Sequence, residues 1–139
     1  MGVDAICEAV DLVRAGKAPK IQQDHSLMTY ESWCKSEDAK IFWSRSVEDV
    51  HNLIRGCNPS PGAWSTINDQ IIQIFDCTRD DLIKGSPGTV TEIQNDCFGV
   101  ACLNGGIWVK RLRLRGKEKV SASEFISSEK LSVGDVLGK

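Results

Sequence analysis

Arg111, Arg113 and Arg115 fall at every second position of "KRLRLRGKEK", residues 110–119, and no other spacing in the chain points as directly to a chemistry. Alternate residues of a strand share a face. The three guanidinium groups are therefore expected in one row, with Trp108, Leu112 and Leu114 pointing to the opposite side. With Lys110 ahead of the row and Lys117 and Lys119 beyond it, the stretch suits phosphate contacts and steering of a polyanion. The same alternation also describes a solvated strand face, so the residues alone leave both readings open. Charge distribution sets the stretch apart. Residues 110–119 hold six basic residues and one acid, net +5, against net −6 for residues 1–109 and −1 for residues 120–139.

Residues for catalysis or metal binding are sparse. Neither His25 nor His51 has metal-ligand spacing to a cysteine or to the other histidine. In "HSLM", residues 25–28, His25 and Ser26 are adjacent and project in different directions, and no orienting carboxylate is identifiable. Asp80 and Asp81 could act as an acid–base pair, but beside Arg79 in a loop they are expected to be solvated. Gly105 and Gly106 join strands, with no helix after them to cradle a phosphate. The six cysteines (7, 34, 57, 77, 97 and 102) contain no C-x-x-C pair. Reduced thiols, mostly packing residues, are expected. No catalytic, cofactor-binding or metal-binding residue is expected in this chain.

The elements that hold these residues are short. At 139 residues, with 41% hydrophobic and 26% charged, the chain supports one sizeable core. No apolar run approaches the roughly 20 residues of a membrane span. The start, "MGVDAICEAVDLVRAG", lacks the pattern of a secretory signal, and Ile6 stands where a myristoylation signal wants Ser or Thr. A cytoplasmic protein with no membrane partner is expected. Ile6, Ala9, Val10 and Val13 predict an amphipathic helix over 4–16, stopped by Gly16 and Pro19. Residues 17–40 read as a linker. Ser46, with Asp49 three residues on, caps a second helix whose stripe is Val47, Val50, Ile54 and Cys57. Asn58-Pro59 ends it and Pro61-Gly62 turns the chain. Strands follow at "AWSTI", "QIIQIFDC", "GTVTEI", "CFGVACL" and "IWVKRLRLR", separated by turn signals. Ser121 and Glu124 cap a short helix around "SEFISS", and "LSVGDVLGK" is a tail. Five short strands suit a small closed or partly open barrel.

The stretch "AKIFWSRSVEDVHNLIRGCNPSPGAWSTINDQIIQIFDC" resembles the start of the C-terminal domain of the folate-dependent formyltransferases, the family of the tRNA formyltransferases and of 10-formyltetrahydrofolate hydrolase domains. Ile41 and Trp43, Ile54-Arg55, and Asn58 through Trp64 match the family pattern. Upstream, "EAVDLVRAGKAP" looks like the last helix of the N-terminal domain. Downstream, "PGTVTEI", "SASEFI" and "LSVGDVLG" look like the end of the C-terminal one.

The resemblance implies a mainly β fold with flanking helices: an open Greek-key barrel of the oligonucleotide-binding style, preceded by an N-terminal helix and an extended linker. It divides the chain into 1–40, helix and linker, and 41–139, barrel domain. Trp64 is then expected to fill the seam between helix and barrel, with a ligand-stacking surface aromatic as the sharper alternative. The family's Asn, His and Asp of formyl transfer belong to a preceding folate-binding domain, and none maps here. His25 lacks the Leu-Pro that follows the family's histidine. The implied role is an accessory domain positioning a formyl acceptor such as methionyl-tRNA. The partner is the missing catalytic domain, and 10-formyltetrahydrofolate is the cofactor of the whole enzyme only. Parts of a 10-formyltetrahydrofolate hydrolase/dehydrogenase or of a sugar-nucleotide formyltransferase are alternatives, as is a stand-alone RNA-binding module.

Overall fold

Helical spacing of Ile6, Val10 and Val13 forms α1 (Gly2–Arg14) in a computed structural model that describes residues 2–30 and 32–139. The stop is built as the sequence predicts. Gly16, at φ +66°, donates its N–H to the Val13 carbonyl, and Lys17 donates to Leu12, the paired bonds of a Schellman cap. No residue of α1 is buried, and Ile6 is 67% exposed. The chain divides into two compact units, Met1–Ser32 and Trp33–Lys139. No helix among the described residues is long and apolar enough to cross a membrane.

The second unit starts with α2 (Val47–Gly56). The Ser46 hydroxyl accepts the Asp49 N–H, and Asn104 Oδ1 takes the Val47 N–H, so two of the helix's orphan donors are satisfied. Val47, Val50 and Ile54 are buried, and α2 packs on β2 and β5. The strands are β1 (Ala63–Ile67), β2 (Gln70–Asp80), β3 (Val90–Ile93), β4 (Phe98–Cys102), β5 (Gly105–Leu114) and the two-residue β6 (Val120–Ser121); α3 (Ala122–Glu129) follows. Asn68 and Asp69, both at positive φ, make the two-residue turn between β1 and β2.

All pairings are antiparallel, in the order β1-β2-β5-β4-β3, with β6 beside β5. β3, β4 and β5 run as a meander while β2 lies beside β5, which is Greek-key order. The mainly β architecture with flanking helices is therefore as expected, and the sheet stays open. Its free edges are met by the C-terminal segment, which the sequence pattern predicts only as a tail. Val90 donates to Asp135 and Leu137 to Gly88 at the β3 edge, and Gly138 donates to Thr66 on β1.

One face of the sheet carries the core: Ile72, Ile74, Phe98, Val100, Ile107, Val109 and Leu112 are closed to solvent, and Phe125 of α3 stacks on Phe98 at 6.2 Å. Trp43 is buried there, its Nε1 donating to Ser65 Oγ at 2.9 Å.

The expected face of Trp108 is corrected by a paired irregularity. Ile74 faces Leu112, Asp76 faces Arg111 and Cys77 faces Val109, so Phe75 on β2 and Lys110 on β5 are each an extra residue. The inward set switches from Leu112 and Leu114 to Val109 and Ile107. Trp108 thus lies on the outer face, where its indole and Ile83 cover Gly99.

Candidate nucleic-acid interface

On the outer face of β2 and β5, ahead of the bulge, side chains are tied rather than packed into the core. Phe75 is only 3% exposed yet stands apart from the core cluster. Lys119 Nζ lies 3.7 Å above its ring centroid, and the Arg113 guanidinium lies 5.2 Å away. Arg113 Nε donates to Gln73 Oε1 at 2.7 Å, and Gln73 Nε2 donates to the Pro61 carbonyl at 2.9 Å. Asn58 Nδ2 donates to the Phe75 carbonyl at 2.9 Å. The stretch 57–62 is therefore a brace. Its prolines redirect the chain after α2, and its Asn58 side chain and Pro61 carbonyl grip β2, whose Gln73 in turn holds Arg113 of the neighbouring β5. Gly62 allows the close approach: it sits at φ +84°, and an added Cβ would stand 3.0 Å from both Gln73 Nε2 and Phe75 Cε1.

Beside this brace lies an open groove of about 560 Å³, lined among others by Ser36, Pro61, Trp64, Gln73, Arg113, Arg115 and Lys117. Trp64 faces outward from β1. Its Nε1 donates to the Ser36 carbonyl at 2.6 Å, and Lys40 Nζ lies 5.5 Å from its ring. The seam that Trp64 closes is thus with the segment 36–40, which corrects its expected place between helix and barrel. Lys117 is 3.9 Å from Glu129, a long exposed contact that leaves the ammonium available.

The six predicted basic residues separate into two sets. Arg113, Arg115 and Lys117 line the groove, with Lys119 on the neighbouring Phe75. Lys110 and Arg111 are exposed at the bulge and do not line it. Gln73, Phe75 and Trp64 complete the surface. One signal for them was present in the sequence. Ile74-Phe75 puts two apolar residues side by side and Lys110-Arg111 two polar ones, and each pair breaks strand alternation.

The other candidates are engaged elsewhere. Ser26 Oγ donates to Asp24 Oδ1 at 2.7 Å, within a single 3-10 turn at His25–Leu27. That hydroxyl, with the Ser26 N–H, holds the Asp24 carboxyl below its usual range. Asp80, expected to be solvated, accepts the Leu82 N–H at 2.8 Å and the Trp108 indole N–H at 3.0 Å, and these bonds lower its pKa. Burial, then the charges of Arg55 and Arg79, lowers the pKa of His51. Among the described residues, no group of three or more His, Cys, Asp or Glu could hold a metal ion.

Residues 34–130 match the formyl transferase C-terminal domain family. The chain belongs to that family. This formyltransferase C-terminal domain is 34% identical, over its full length, to a methionyl-tRNA formyltransferase of Geotalea uraniireducens. It is 36% identical over 99% of its length to that of Geotalea daltonii, and it spans 44% of each relative. Its fold matches HypX from Aquifex aeolicus in complex with tetrahydrofolic acid, with TM-score 0.69 and 21% identity over 94% of this chain and 23% of HypX.

Proposed function

We propose that this domain is the accessory part of a formyltransferase that uses 10-formyltetrahydrofolate, and that its groove positions the formyl acceptor, methionyl-tRNA. Residues 1–40 are then the last helix of a catalytic domain and its linker, and 41–139 the barrel-like domain, acting in the cytoplasm. The observation that carries this reading is the groove between Trp64 and Arg113. Three cations from consecutive odd positions line it, one of them fixed by Gln73, and an aromatic ring forms its opposite wall. A polyanion with exposed bases is the ligand that uses both features, phosphates on the cations and a base on the ring. The names of the curated relatives, all methionyl-tRNA formyltransferases among the most similar, support the same acceptor.

Chemistry belongs to the part of the enzyme outside this chain. The isolated chain should bind methionyl-tRNA with an affinity that falls steeply with salt, and should transfer no formyl group from 10-formyltetrahydrofolate. Turnover abolished by His25→Ala would overturn the accessory role. Absence of salt-dependent tRNA binding would overturn the choice of acceptor.

A further inference from the structure

Two of the six thiols, one exposed and one buried, lie in contact. Cys34 is exposed on the segment entering the second unit, and its Sγ lies 3.8 Å from Sγ of Cys57, the buried C-cap of α2. Contact at that distance needs a closing movement of roughly 2 Å to reach a disulfide's bond length of about 2.05 Å. Cys34 sits on an irregular segment bonded by turns, so its backbone can supply that movement. Two of the other buried thiols lack this access. Cys77 and Cys102 lie inside the core, where burial pushes each up to about 12.

We propose that Cys34 and Cys57 are a thiol–disulfide modification site, oxidised by a low-molecular-weight disulfide of the glutathione type and restored by the matching thiol. The exposed Cys34 thiolate attacks one sulfur of the small disulfide, forming a mixed disulfide and expelling one small thiolate, which takes up a proton from water. Cys57 then gives its proton to water and attacks the Cys34 sulfur, forming the protein disulfide and expelling the second small thiolate. Two protein thiols are oxidised and one small disulfide is reduced to two thiols. Burial, with the neighbouring Cys34, holds the Cys57 thiol up at about 11. Cys57 is therefore the slow resolving thiol and Cys34 the entry point.

The bond would fasten a wall of the groove. Cys34 is two residues from Ser36, whose carbonyl holds the Trp64 indole. Only that consequence rests on the groove's proposed role; the disulfide itself does not.

The test is made on the full chain carrying Cys7→Ser, which removes the exposed thiol of α1. The protein is incubated in glutathione buffers of increasing oxidised fraction, quenched in acid, denatured, alkylated and mapped by mass spectrometry. The expected result is a peptide pair joined through Cys34 and Cys57, lighter by two hydrogens and separated by dithiothreitol. Cys34→Ser should lose the cross-link while leaving Cys57 fully alkylated. Cys57→Ser should leave Cys34 as a stable glutathione adduct. Because Cys34 is exposed, its variant keeps the test valid if Cys57→Ser fails to fold. A Cys7→Ser chain, with Cys34 and Cys57 both intact, in which Cys34 carries glutathione while Cys57 remains alkylatable would overturn the proposal. So would one in which both stay alkylatable at the most oxidising ratio. Neither outcome touches tRNA binding, so failure here is distinguishable from failure of the groove's proposed function.

Discussion

On the inner face of the β2–β5 ladder, Ile72, Ile74, Leu112 and Leu114 are sealed from solvent. On the outer face of the same backbone, Gln73, Phe75 and Arg113 are held by hydrogen bonds and cation–ring contacts beside an open groove. The inner face is stabilised by removing apolar area from water, about 25 cal/mol per Å². The outer face gains less from each interaction, but its hydrogen bonds fix where particular polar atoms stand. That difference lets one ladder close a core and present ordered cations to solvent.

Substitutions on the inner face should have the largest effect. Leu112→Ala should cost about 2–5 kcal/mol in a denaturant titration, since it empties a fully buried site. The folded fraction should still bind polyanions as the parent does. Gly62→Ala comes next. Its positive φ and the 3.0 Å approach to Gln73 and Phe75 predict a loss of about 1–3 kcal/mol, seen as a lower melting temperature. Arg113→Gln should cost about 1 kcal/mol of folding stability, because the half-buried guanidinium gives up one hydrogen bond to Gln73 and its place beside the Phe75 ring. Arg111→Gln, at the bulge, should stay within about 0.5 kcal/mol. Equal and large losses for both arginines would erase the distinction between tied and free positions.

The smallest expected effect lies on α2. His51 has its folded-state pKa below the unfolded value of about 6.5. The unfolded chain therefore binds more protons as pH falls below that value, and stability should drop there. His51→Gln should flatten this part of the urea-midpoint profile. An unchanged profile would mean that the shift is not felt in folding.

Local elements were legible because their signals are local. Ser46 with Asp49, Ser121 with Glu124, and Gly16 after the α1 stripe all sit where the chemistry of capping requires them. The stretch "NPSPGAW" carried the family, although its brace on Phe75 depends on partners 12 to 17 residues away. Three features escaped for the same reason. The paired bulge shows in sequence only as two broken alternations, and reading β5 as regular put Trp108 on the wrong face. The tail's bonds to β3 and β1 are main-chain bonds, which any residue type can make, so composition does not announce them. Trp64 gave its residue type and its strand, but not the segment 36–40 that meets it. Of the basic row, the alternation of Arg113 and Arg115 was readable. The separation of Lys110 and Arg111 from the groove followed from the bulge alone.

The most direct test of the groove is a tRNA titration over a range of salt concentrations, with two variants compared against the parent. One carries Arg113→Gln, Arg115→Gln and Lys117→Gln; the other carries Lys110→Gln and Arg111→Gln. The groove variant should remain folded, and its slope of log affinity against log salt should fall by roughly one unit for each phosphate no longer neutralised, up to about three. The bulge variant should keep nearly the parental slope. A slope that survives the groove substitutions and collapses with the bulge pair would contradict the account.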